Sequence, residues 1–498
     1  MKTIKNKNMI FALLVSCLLS NTGCDRSSFT PSGDNPIKGS GDVTLYTTNN
    51  SRSLDFHKSF VDFSKKDNMA PNTITLDPAT KFQTMDGFGA AITGSTCYNL
   101  LKMDKADRLK FLTETFSDKD GMGMSYIRIA IGCSDFSLSE YTCWDTPGKE
   151  NFGLQKEEKE YILPILKEIL AINPKIKIIG SPWTPPKWMK VNNLNDLQAF
   201  DSWTNGQLNP KYYEDYGWYF VQWLNAFEKE GVHVAAITVQ NEPLNRGNSA
   251  SLYMSWEEQQ AFVKKSLGPQ LKKANLNTQI YAFDHNYNYD NIDSQMGYPW
   301  KIYADAEAAA YFTGAAYHNY GGNKDELLAV QSKRPDKELI FTETSIGTWN
   351  DGRNLSKRLI EDMSEVALGT VNRWSKAVIV WNLMLDTQMG PYREGGCKTC
   401  YGAVDIQSSN YKNMTRNSHY YIIGHMSAVV KPGATRIGSN KLQDNSIEYA
   451  TFQNTDGTYA VVLLNKSGEE KKIAINDGTH HFSYAVPAMS VVSYRWAK

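Results

Sequence analysis

The sequence predicts an α/β fold, a (β/α)8 TIM barrel with an attached antiparallel β-sandwich. Without an N-terminal leader and tether, about 455 residues remain, which suits a barrel with a smaller companion better than one ordinary domain. Eight short apolar segments alternate with amphipathic segments over residues 79–430, which is typical of parallel βαβ units closed into a barrel. Beyond residue 431 the chain changes to short alternating strands separated by turns.

Residues 1–23 have the pattern of a signal peptide. Three lysines lie within the first seven residues, and the apolar run that follows, over 9–19, is too short for a stable membrane helix. No second apolar run approaches membrane-spanning length. We therefore expect an exported protein.

Cys24 is the predicted lipidation site, because a polar stretch over 24–42, rich in Ser, Gly and Pro, follows it as a flexible tether. Cys17 fits the local lipobox pattern better, but cleavage there would leave an unusually short apolar core. An ordinary secretory signal is a further alternative. The expectation is an outer-membrane or cell-surface lipoprotein, or alternatively a periplasmic or secreted protein, that meets a membrane only through its N-terminal lipid.

Residues 43–78 contain strand-like runs that we expect to join the sandwich. The barrel is predicted over 79–430, with strands at 85–90, 126–131, 176–183, 234–240, 280–284, 314–318, 339–342 and 377–381. Between them, apolar residues recur at intervals of three and four and predict helices, including 157–172, 212–230, 256–274 and 355–373.

The C-terminal sandwich is predicted over 431–498. Its strands are expected at 446–452, 459–464, 472–475 and 490–496, and turn sequences such as Asn454 to Gly457 separate them.

Charge and composition indicate a neutral partner. The 53 basic residues balance the 53 acidic ones, so neither a nucleic acid nor a basic membrane-binding surface is expected. Aromatic residues make up 12% of the chain, and flat rings suit the faces of sugars, although large cores also use them.

The cysteines beyond the leader predict neither a metal nor a cofactor site. Cys397 and Cys400 form a CxxC pair in a Gly-rich loop without a second pair or a histidine cluster, so zinc is not expected there. The pair forms either a loop disulfide or free thiols. Because five cysteines remain, at least one thiol must be unpaired.

Catalytic groups of such a barrel lie at the carboxyl ends of the strands. Two carboxylates, Glu242 and Glu343, follow the fourth and seventh predicted strands. A retaining glycosidase needs two carboxyl groups about 5 Å apart, one as general acid and one as nucleophile. The amide of Asn241 can reach a sugar 2-hydroxyl, and Pro243 fixes the turn. We expect Glu242 to have a raised pKa and Glu343 to be ionised.

The chain resembles glycoside hydrolase family 30, which includes glucosylceramidases and β-1,6-glucanases. The resemblance rests on the two glutamates and on the segments QTMDGFGAAIT (83–93), IRIAIGCSDFS (127–137), SPWTPPKW (181–188) and WNLMLD (381–386). It implies a barrel fused to a β-sandwich, retention of configuration, and neither metal nor cofactor. It also implies that Glu242 is the acid/base and Glu343 the nucleophile. The residues expected around the attacked sugar are Asp135, Trp183, Asn241, His318, Tyr320 and Trp381.

Some residues are open to other interpretations. Glucosylceramidase-like members have a His-Trp-Tyr run where this chain has Asn319 between His318 and Tyr320, which casts doubt on contacts to an apolar aglycone. Arg128 is equally suited to a buried structural ion pair. Asp284 is expected to hold a neighbouring loop, and His318 to orient a carboxylate rather than act as a base.

The predicted activity is hydrolysis of a neutral β-linked glucan or oligosaccharide by double displacement. Among the enzymes with this activity, an endo-β-1,6-glucanase is the first prediction. The alternatives are an exo-acting β-glucosidase or glucosylceramidase-like hydrolase, and a β-xylosidase. A surface glycan-binding lipoprotein without activity is the non-enzyme alternative, and it predicts loss of one catalytic carboxylate.

Overall fold

A computed structural model describes residues 40–64, 72–287 and 292–498. The predicted signal peptide, both candidate lipidation cysteines and nearly all of the tether lie outside the described residues. Within the described ranges, no helix combines the length and the apolar character needed to cross a bilayer.

The strands of the sandwich come from both ends of the chain, and the strands of the barrel, with a few short loop strands, lie between them. In chain order they are β1 (Val43–Asn49), β2 (His57–Val61), β3 (Thr73–Thr84), β4 (Gly87–Ala91), β5 (Tyr126–Ala130), β6 (Lys177–Ser181), β7 (Lys190–Val191), β8 (Gln207–Leu208), β9 (Ala236–Thr238), β10 (Gln279–Asn286), β11 (Gly314–His318), β12 (Glu338–Glu343), β13 (Ile346–Gly347), β14 (Ser375–Asn382), β15 (Met384–Asp386), β16 (Cys400–Tyr401), β17 (Val404–Ile406), β18 (Met414–Arg416), β19 (Thr435–Ser439), β20 (Ile447–Gln453), β21 (Tyr459–Asn465), β22 (Lys471–Asn476), β23 (His481–Val486) and β24 (Ser490–Trp496).

The helices surround the barrel. They are α1 (Gly94–Lys102), α2 (Lys105–Phe116), α3 (Leu163–Ile172), α4 (Tyr213–Lys229), α5 (Trp256–Phe262), α6 (Gly268–Lys273), α7 (Tyr298–Ile302), α8 (Ala306–Tyr311), α9 (Glu326–Lys333), α10 (Leu355–Asp362), α11 (Leu368–Val371) and α12 (Ser418–Val429). π-Helical turns at Glu158–Ile162, Val263–Leu267 and Met363–Ala367 interrupt three of the predicted amphipathic segments.

In the described structure, eight strands close into a parallel barrel in the order β10-β11-β12-β14-β4-β5-β6-β9. Each overlaps one of the eight predicted strands, so the predicted fold class is confirmed. These strands are apolar along most of their length because helices cover the outside and side chains fill the inside.

Inward-facing side chains fill the barrel. The lower part of this filling is an apolar cluster of Tyr126, Ile179, Ala236, Tyr281, Ala316, Ile340, Ala377 and Ile379. Side chains on one face of a strand recur every second residue, so the residues two positions further on form the next layer toward the carboxyl ends. In β5, β6, β9, β11 and β12 those residues are polar: Arg128, Ser181, Thr238, His318 and Thr342.

The second domain is a mostly antiparallel β-sandwich built from both ends of the chain. Its strands run in the order β2-β1-β24-β21-β20-β19-β3-β22-β23, and only the β22–β3 pair among them is parallel. The long strand β3 leads directly into the first barrel strand. Every residue of α12 is buried, and this helix contacts β24 and β21 of the sandwich as well as β4 and β14 of the barrel.

Cys397 and Cys400 form a disulfide, the first of the two possibilities that the sequence left open. Three free cysteines of the described chain, Cys97, Cys133 and Cys143, are buried.

Candidate active site

Glu343 ends β12 and lies at the centre of the carboxyl face of the barrel. Its carboxylate accepts a hydrogen bond of 2.5 Å from Arg128 Nη1 and one of 2.9 Å from Tyr320 Oη. Burial raises the pKa of Glu343, and the positive charges of His318 and Arg128 oppose that rise. The carboxylate is thus held on two sides, with its oxygens fixed toward the pocket.

Glu242 follows β9 with a left-handed backbone, at φ 44°, a conformation that is costly for a residue with a side chain and is concentrated at functional sites. Its Oε2 accepts hydrogen bonds from Asn245 Nδ2 at 2.8 Å and Asn248 Nδ2 at 2.7 Å. Its Oε1 lies 3.4 Å from His318 Nδ1. Three polar partners therefore hold this buried carboxylate.

The expected raised pKa of Glu242 is wrong for the unliganded protein. Burial raises it, but the hydrogen bond from His318, the nearby histidine charges and the amide of Asn245 lower the pKa of Glu242 to about 2. The hydrogen-bond donors and positive charges that stabilise the ionised carboxylate of Glu242 outweigh the effect of its burial. The negative charges of the surrounding carboxylates overcome the effect of burial and raise the pKa of His318 to about 9. The proton of this pair therefore resides on the imidazole.

His318 and Asp284 form the base of the site. His318 is fully buried, with Nε2 3.0 Å from Asp284 Oδ1 and Nδ1 facing Glu242. Because both ring nitrogens have carboxylate partners, His318 can orient Glu242 but has no nitrogen left for a sugar. This agrees with the expectation that it orients a carboxylate, and not with its place among the sugar-binding residues.

Asp284 is the most connected carboxylate of the site, rather than a residue that merely holds a loop. Its oxygens accept hydrogen bonds from Arg128 Nη2, Ser181 Oγ, Thr238 Oγ1, His318 Nε2 and Thr342 Oγ1, at 2.6 to 3.0 Å. The charge of Arg128 and these donors outweigh burial and hold the pKa of Asp284 far below its usual range. A β-bulge between Phe283 and His285 turns this side chain into the barrel.

The two glutamates lie at the separation expected of a retaining pair. One carboxylate oxygen of Glu242, one of Glu343 and a ring nitrogen of His318 all lie within 4.8 Å of one another. Retaining glycosidases place their carboxyl groups about 5 Å apart. These three atoms are close enough together for a cation site, but the protonated imidazole of His318 has no lone pair to offer a metal, and Arg128 pairs with Glu343.

Asp135 lies beside this pair and is half-buried. Its Oδ1 is buried and has no hydrogen-bond partner among the described residues. Burial and the negative charges of Glu343 and Glu242 raise the pKa of Asp135 to about 8. A carboxyl with a buried, unpaired oxygen is suited to a ligand hydroxyl, because an unmet hydrogen bond in a buried site is costly.

Trp183 and Trp381 form the aromatic wall of the pocket. Their rings stack with centroids 5.3 Å apart, and the guanidinium of Arg128 lies 4.9 Å and 5.4 Å from the two rings. Arg128 Nη2 also donates to Asn241 Oδ1 at 2.7 Å, which fixes this amide with its NH2 group as the donor available to a substrate. The site residues predicted from the strand ends are thus brought together.

The sequence left the roles of four neighbouring residues open or unnoticed. Arg128 contacts Glu343, Asn241 and Asp284 at the centre of the site. Asn245 and Asn248 donate hydrogen bonds to Glu242. Arg393 ties three loops together through Ser134 O, Glu140 and Ser249. The position of Arg128 on a barrel strand indicates that its side chain can belong to the site. Nothing in the sequence indicates the loop contacts of Asn245, Asn248 and Arg393.

Comparison with protein families gives a match over nearly the whole described chain. Residues 85–430 match the sequence model described as the glycosyl hydrolase family 30 TIM-barrel domain. Residues 433–494 match the family 30 beta sandwich domain.

Individual proteins agree with this match. The solved structure of the endo-β1,6-glucanase BT3312 is 68% identical, superposes with a TM-score of 0.90, and the alignment covers 92% of this chain and 100% of that one. An endo-1,6-β-D-glucanase of Trichoderma harzianum is 30% identical over 83% of this chain and 84% of its own length. The lysosomal acid glucosylceramidase of Mus musculus is 27% identical over 85% of this chain and 83% of its own.

Proposed function

The chain belongs to glycosyl hydrolase family 30, and on this premise we propose that it is a retaining endo-β-1,6-glucanase with Glu343 as nucleophile and Glu242 as acid/base. The observation that carries the mechanism is the approach of the two carboxylates to within 4.8 Å. At that separation there is no room for a water between the anomeric carbon and the carboxylate.

In the first step Glu343 attacks the anomeric carbon, and the bond to the leaving oxygen breaks. Arg128 and Tyr320 hold the two oxygens of Glu343 so that a lone pair faces the carbon. Glu242 gives its proton to the leaving oxygen, which departs as a hydroxyl of the released chain. The product of this step is a glycosyl ester of Glu343.

The proton for this step comes from the pair formed by Glu242 and His318. In the unliganded protein the imidazole holds it, at the raised pKa described above. Transfer from Nδ1 to Oε1 converts the ion pair into a neutral pair, and exclusion of water by a bound sugar favours the neutral form. His318 is therefore a positioning residue that keeps a proton within reach of the acid.

In the second step Glu242, now ionised, removes a proton from water. The water oxygen attacks the anomeric carbon and the ester bond to Glu343 breaks. Two inversions give net retention. Asp135, Asn241 and the Trp183–Trp381 pair are placed to bind the sugar under attack, which is neutral and presents hydroxyls and one flat face.

The substrate is inferred from the relatives. The similarity to two proteins named as endo-β-1,6-glucanases, one of them at 68% identity, supports β-1,6-glucan. The presence of both carboxylates in one site argues against a binding protein without activity. An exo-acting β-glucosidase and a β-xylosidase remain as outcomes of the test.

Digestion of pustulan, a β-1,6-glucan, tests the proposal, with laminarin and xylan as controls. We expect short β-1,6-linked oligosaccharides of several lengths as the early products, and the β-anomer as the first-formed reducing end in proton NMR. Glucose as the sole early product identifies an exo-acting enzyme, and xylose products identify the xylan branch. Either result contradicts the endo-β-1,6-glucanase assignment.

We also propose that the protein is exported and lipid-anchored at Cys24, on the leader and tether pattern described above. Expression in a host that processes lipoproteins, followed by mass spectrometry of the N-terminal peptide, tests this. We expect diacylglycerol on Cys24, loss of the lipid in Cys24→Ala, and no change in Cys17→Ala. The reverse pattern assigns Cys17, and an unmodified mature protein contradicts the anchor.

A further inference from the structure

A cleft of about 490 Å³ lies between the barrel and the sandwich. Its barrel wall consists of residues from the π-helical turn Met363–Ala367, from α11 and from the segment just after α11, together with Lys324. Its sandwich wall consists of residues between Arg436 and Tyr449. None of these lining residues hydrogen-bonds to either catalytic glutamate. The cleft is therefore separate from the active site, and its volume is in the range of ordinary small-molecule sites.

Arg436, which lies in β19, places a nearly buried guanidinium at this cleft. The residue is only 9% exposed, and its guanidinium carbon lies 3.8 Å from the ring centroid of Phe82 and 5.8 Å from that of Trp374. Its Nε donates to Gln83 Oε1 at 2.9 Å. Gln83 Nε2 donates to Val371 O at 2.6 Å, which fixes this amide with its oxygen toward Arg436. The two rings and the amide therefore hold the guanidinium in one position.

This guanidinium has no anionic partner. Among the described residues no carboxylate pairs with Arg436, and neither of its Nη groups has a hydrogen-bond partner. Burial, which no carboxylate opposes, lowers the pKa of Arg436 to about 10, so the positive charge persists at neutral pH. Buried charges are normally paired, because removing an ion from water without a counter-ion is costly. The two Nη groups are thus unpaired charged donors beside the cleft.

Positive charge predominates around the cleft. The charged residues that line it are Lys324, Arg373, Arg436, Lys441 and Glu448. Glu448 already accepts a hydrogen bond of 2.8 Å from Ser364 Oγ and pairs with Lys466 at 2.5 Å. Lys324 and Arg373 are paired with Glu365 and Asp325. Lys441 is exposed and pairs with no acid of the described chain, so it and Arg436 are cations still available to a ligand.

The chemistry of these groups indicates the kind of ligand. A guanidinium can hold a carboxylate or a phosphate group with two parallel hydrogen bonds, and an ammonium adds a second charge. The cleft is larger than either oxyanion alone. Most of its other lining residues are polar, among them Asn372, Ser439 and Tyr449. A body that carries hydroxyl groups suits such walls better than an apolar one.

We propose that this cleft is a second binding site, for a sugar that carries a carboxylate or a phosphate group, with Arg436 and Lys441 binding the oxyanion. The inference goes beyond the proposed function, because a neutral β-glucan has no oxyanion to offer. It is also independent of the catalytic assignment, since the two sites share no lining residue named here.

Isothermal titration calorimetry at low ionic strength tests the proposal, with glucuronate, glucose 6-phosphate, glucose and inorganic phosphate as probes. Because sugars can also enter the active site, the heat assigned to the cleft is the part that Arg436→Gln abolishes. We expect saturable binding of at least one of the two anionic sugars, tighter than that of glucose or of inorganic phosphate. Whether glucuronate or glucose 6-phosphate binds more tightly identifies the oxyanion.

Arg436→Gln should weaken this binding about tenfold or more, the scale of losing one charge-assisted hydrogen bond. Arg436→Lys, which keeps the charge but loses the two-pronged geometry, should lie between the two. Lys441→Gln should weaken binding about threefold, as expected of an exposed charge, and this surface change leaves the buried contacts of Arg436 in place.

Lys472→Gln is the matched control, since Lys472 is an exposed lysine of the sandwich that does not line the cleft, and it should leave the affinity unchanged. Calorimetric melting checks that every variant folds. Absence of saturable binding of both anionic sugars, or an unchanged affinity in Arg436→Gln, would overturn the proposal. If Arg436→Gln does not fold, an unchanged affinity in Lys441→Gln overturns it. Equally tight binding of inorganic phosphate would show that the cleft does not recognise the sugar, which also contradicts the proposal.

Discussion

Arg128 is the residue on which the geometry of the site depends most. Its guanidinium contacts Glu343, Asp284 and Asn241 and lies beside both tryptophan rings of the pocket. It is fully buried, so each of these contacts is made at low local dielectric, where charge pairs are strong and an unpaired charge is costly.

Removal of this charge should move the acidic limb of the pH profile. Arg128 lowers the pKa of Glu343 against the effect of burial, so in Arg128→Gln that pKa rises and Glu343 becomes protonated at higher pH. Because an opposite charge at this distance is worth about one pH unit or more, the acidic limb of kcat/KM on an aryl glucoside should move upward by about that amount, with a lower plateau.

Arg128→Lys keeps a positive charge and should show a smaller shift, and circular dichroism checks that both variants fold. A profile with an unchanged acidic limb in Arg128→Gln would mean that Arg128 does not set the ionisation of Glu343.

Much of the site could be predicted from residue types at strand ends. The two glutamates, Asn241 and the tryptophans lie where the barrel rule places them. The role of Asp284 could not be predicted, because it depends on a bulge that turns the side chain inward, and alternation alone does not reveal a bulge. The pKa order of the two glutamates was also missed, because it depends on donors from loops and from a buried histidine.

Close approach of neighbouring strands requires glycine at a few positions of the barrel. An added Cβ at Gly314 of β11 would lie 2.0 Å from Glu338 O and 2.6 Å from Glu338 C, both backbone atoms of β12. The paired strands cannot move aside without disturbing the barrel that carries His318 and Glu343 at their ends.

Gly314→Ala should therefore lower the free energy of unfolding by about 3 kcal/mol, at the upper end of the usual cost of overpacking, as measured by urea unfolding. Gly153→Ala is the control, since an added Cβ there meets no described atom within 4 Å, and its stability should be unchanged or slightly higher. Equal midpoints for the two variants would contradict the strand-contact argument.

Most of the helices and strands could be predicted, because the spacing of apolar residues in the sequence matches the pattern of burial in the structure. All eight barrel strands and the main C-terminal strands correspond to predicted segments. The π-helical turns were not predicted. One of them, Val263–Leu267, precedes Pro269, which lacks the N–H needed for a regular helix. The helical spacing of apolar residues continues through this turn, so the spacing does not reveal it.

In the molecule as a whole, one part of the sandwich belongs to the same hydrophobic cluster as the barrel, while the rest of the sandwich has a separate core of its own. The largest buried cluster includes barrel residues such as Phe88 together with Phe452, Val462 and Val491 of the sandwich. The buried helix α12 lies between them, and its His425 bonds to Ser493 Oγ at 2.8 Å and Thr48 Oγ1 at 2.9 Å. Both strands of that contact, β1 and β24, belong to the sandwich.

The two domains should therefore unfold together. Phe452→Ala removes a fully buried ring and costs about 3 to 5 kcal/mol, so a single calorimetric transition and the loss of activity should both move to lower temperature by several degrees. Lys472→Ala, an exposed change on β22, should move neither. Two separate transitions, only one of them shifted by Phe452→Ala, would show that the shared core does not couple the domains.

Every step of the proposed reaction depends on the covalent bond that Glu343 forms to the sugar. The most direct measurement is to inactivate the enzyme with an activated 2-deoxy-2-fluoro-β-glucoside, digest it, and map the labelled peptide by mass spectrometry. The fluorine slows hydrolysis of the ester, so the intermediate accumulates. The mechanism predicts one fluoroglucosyl group on Glu343; a label on any other residue would contradict it.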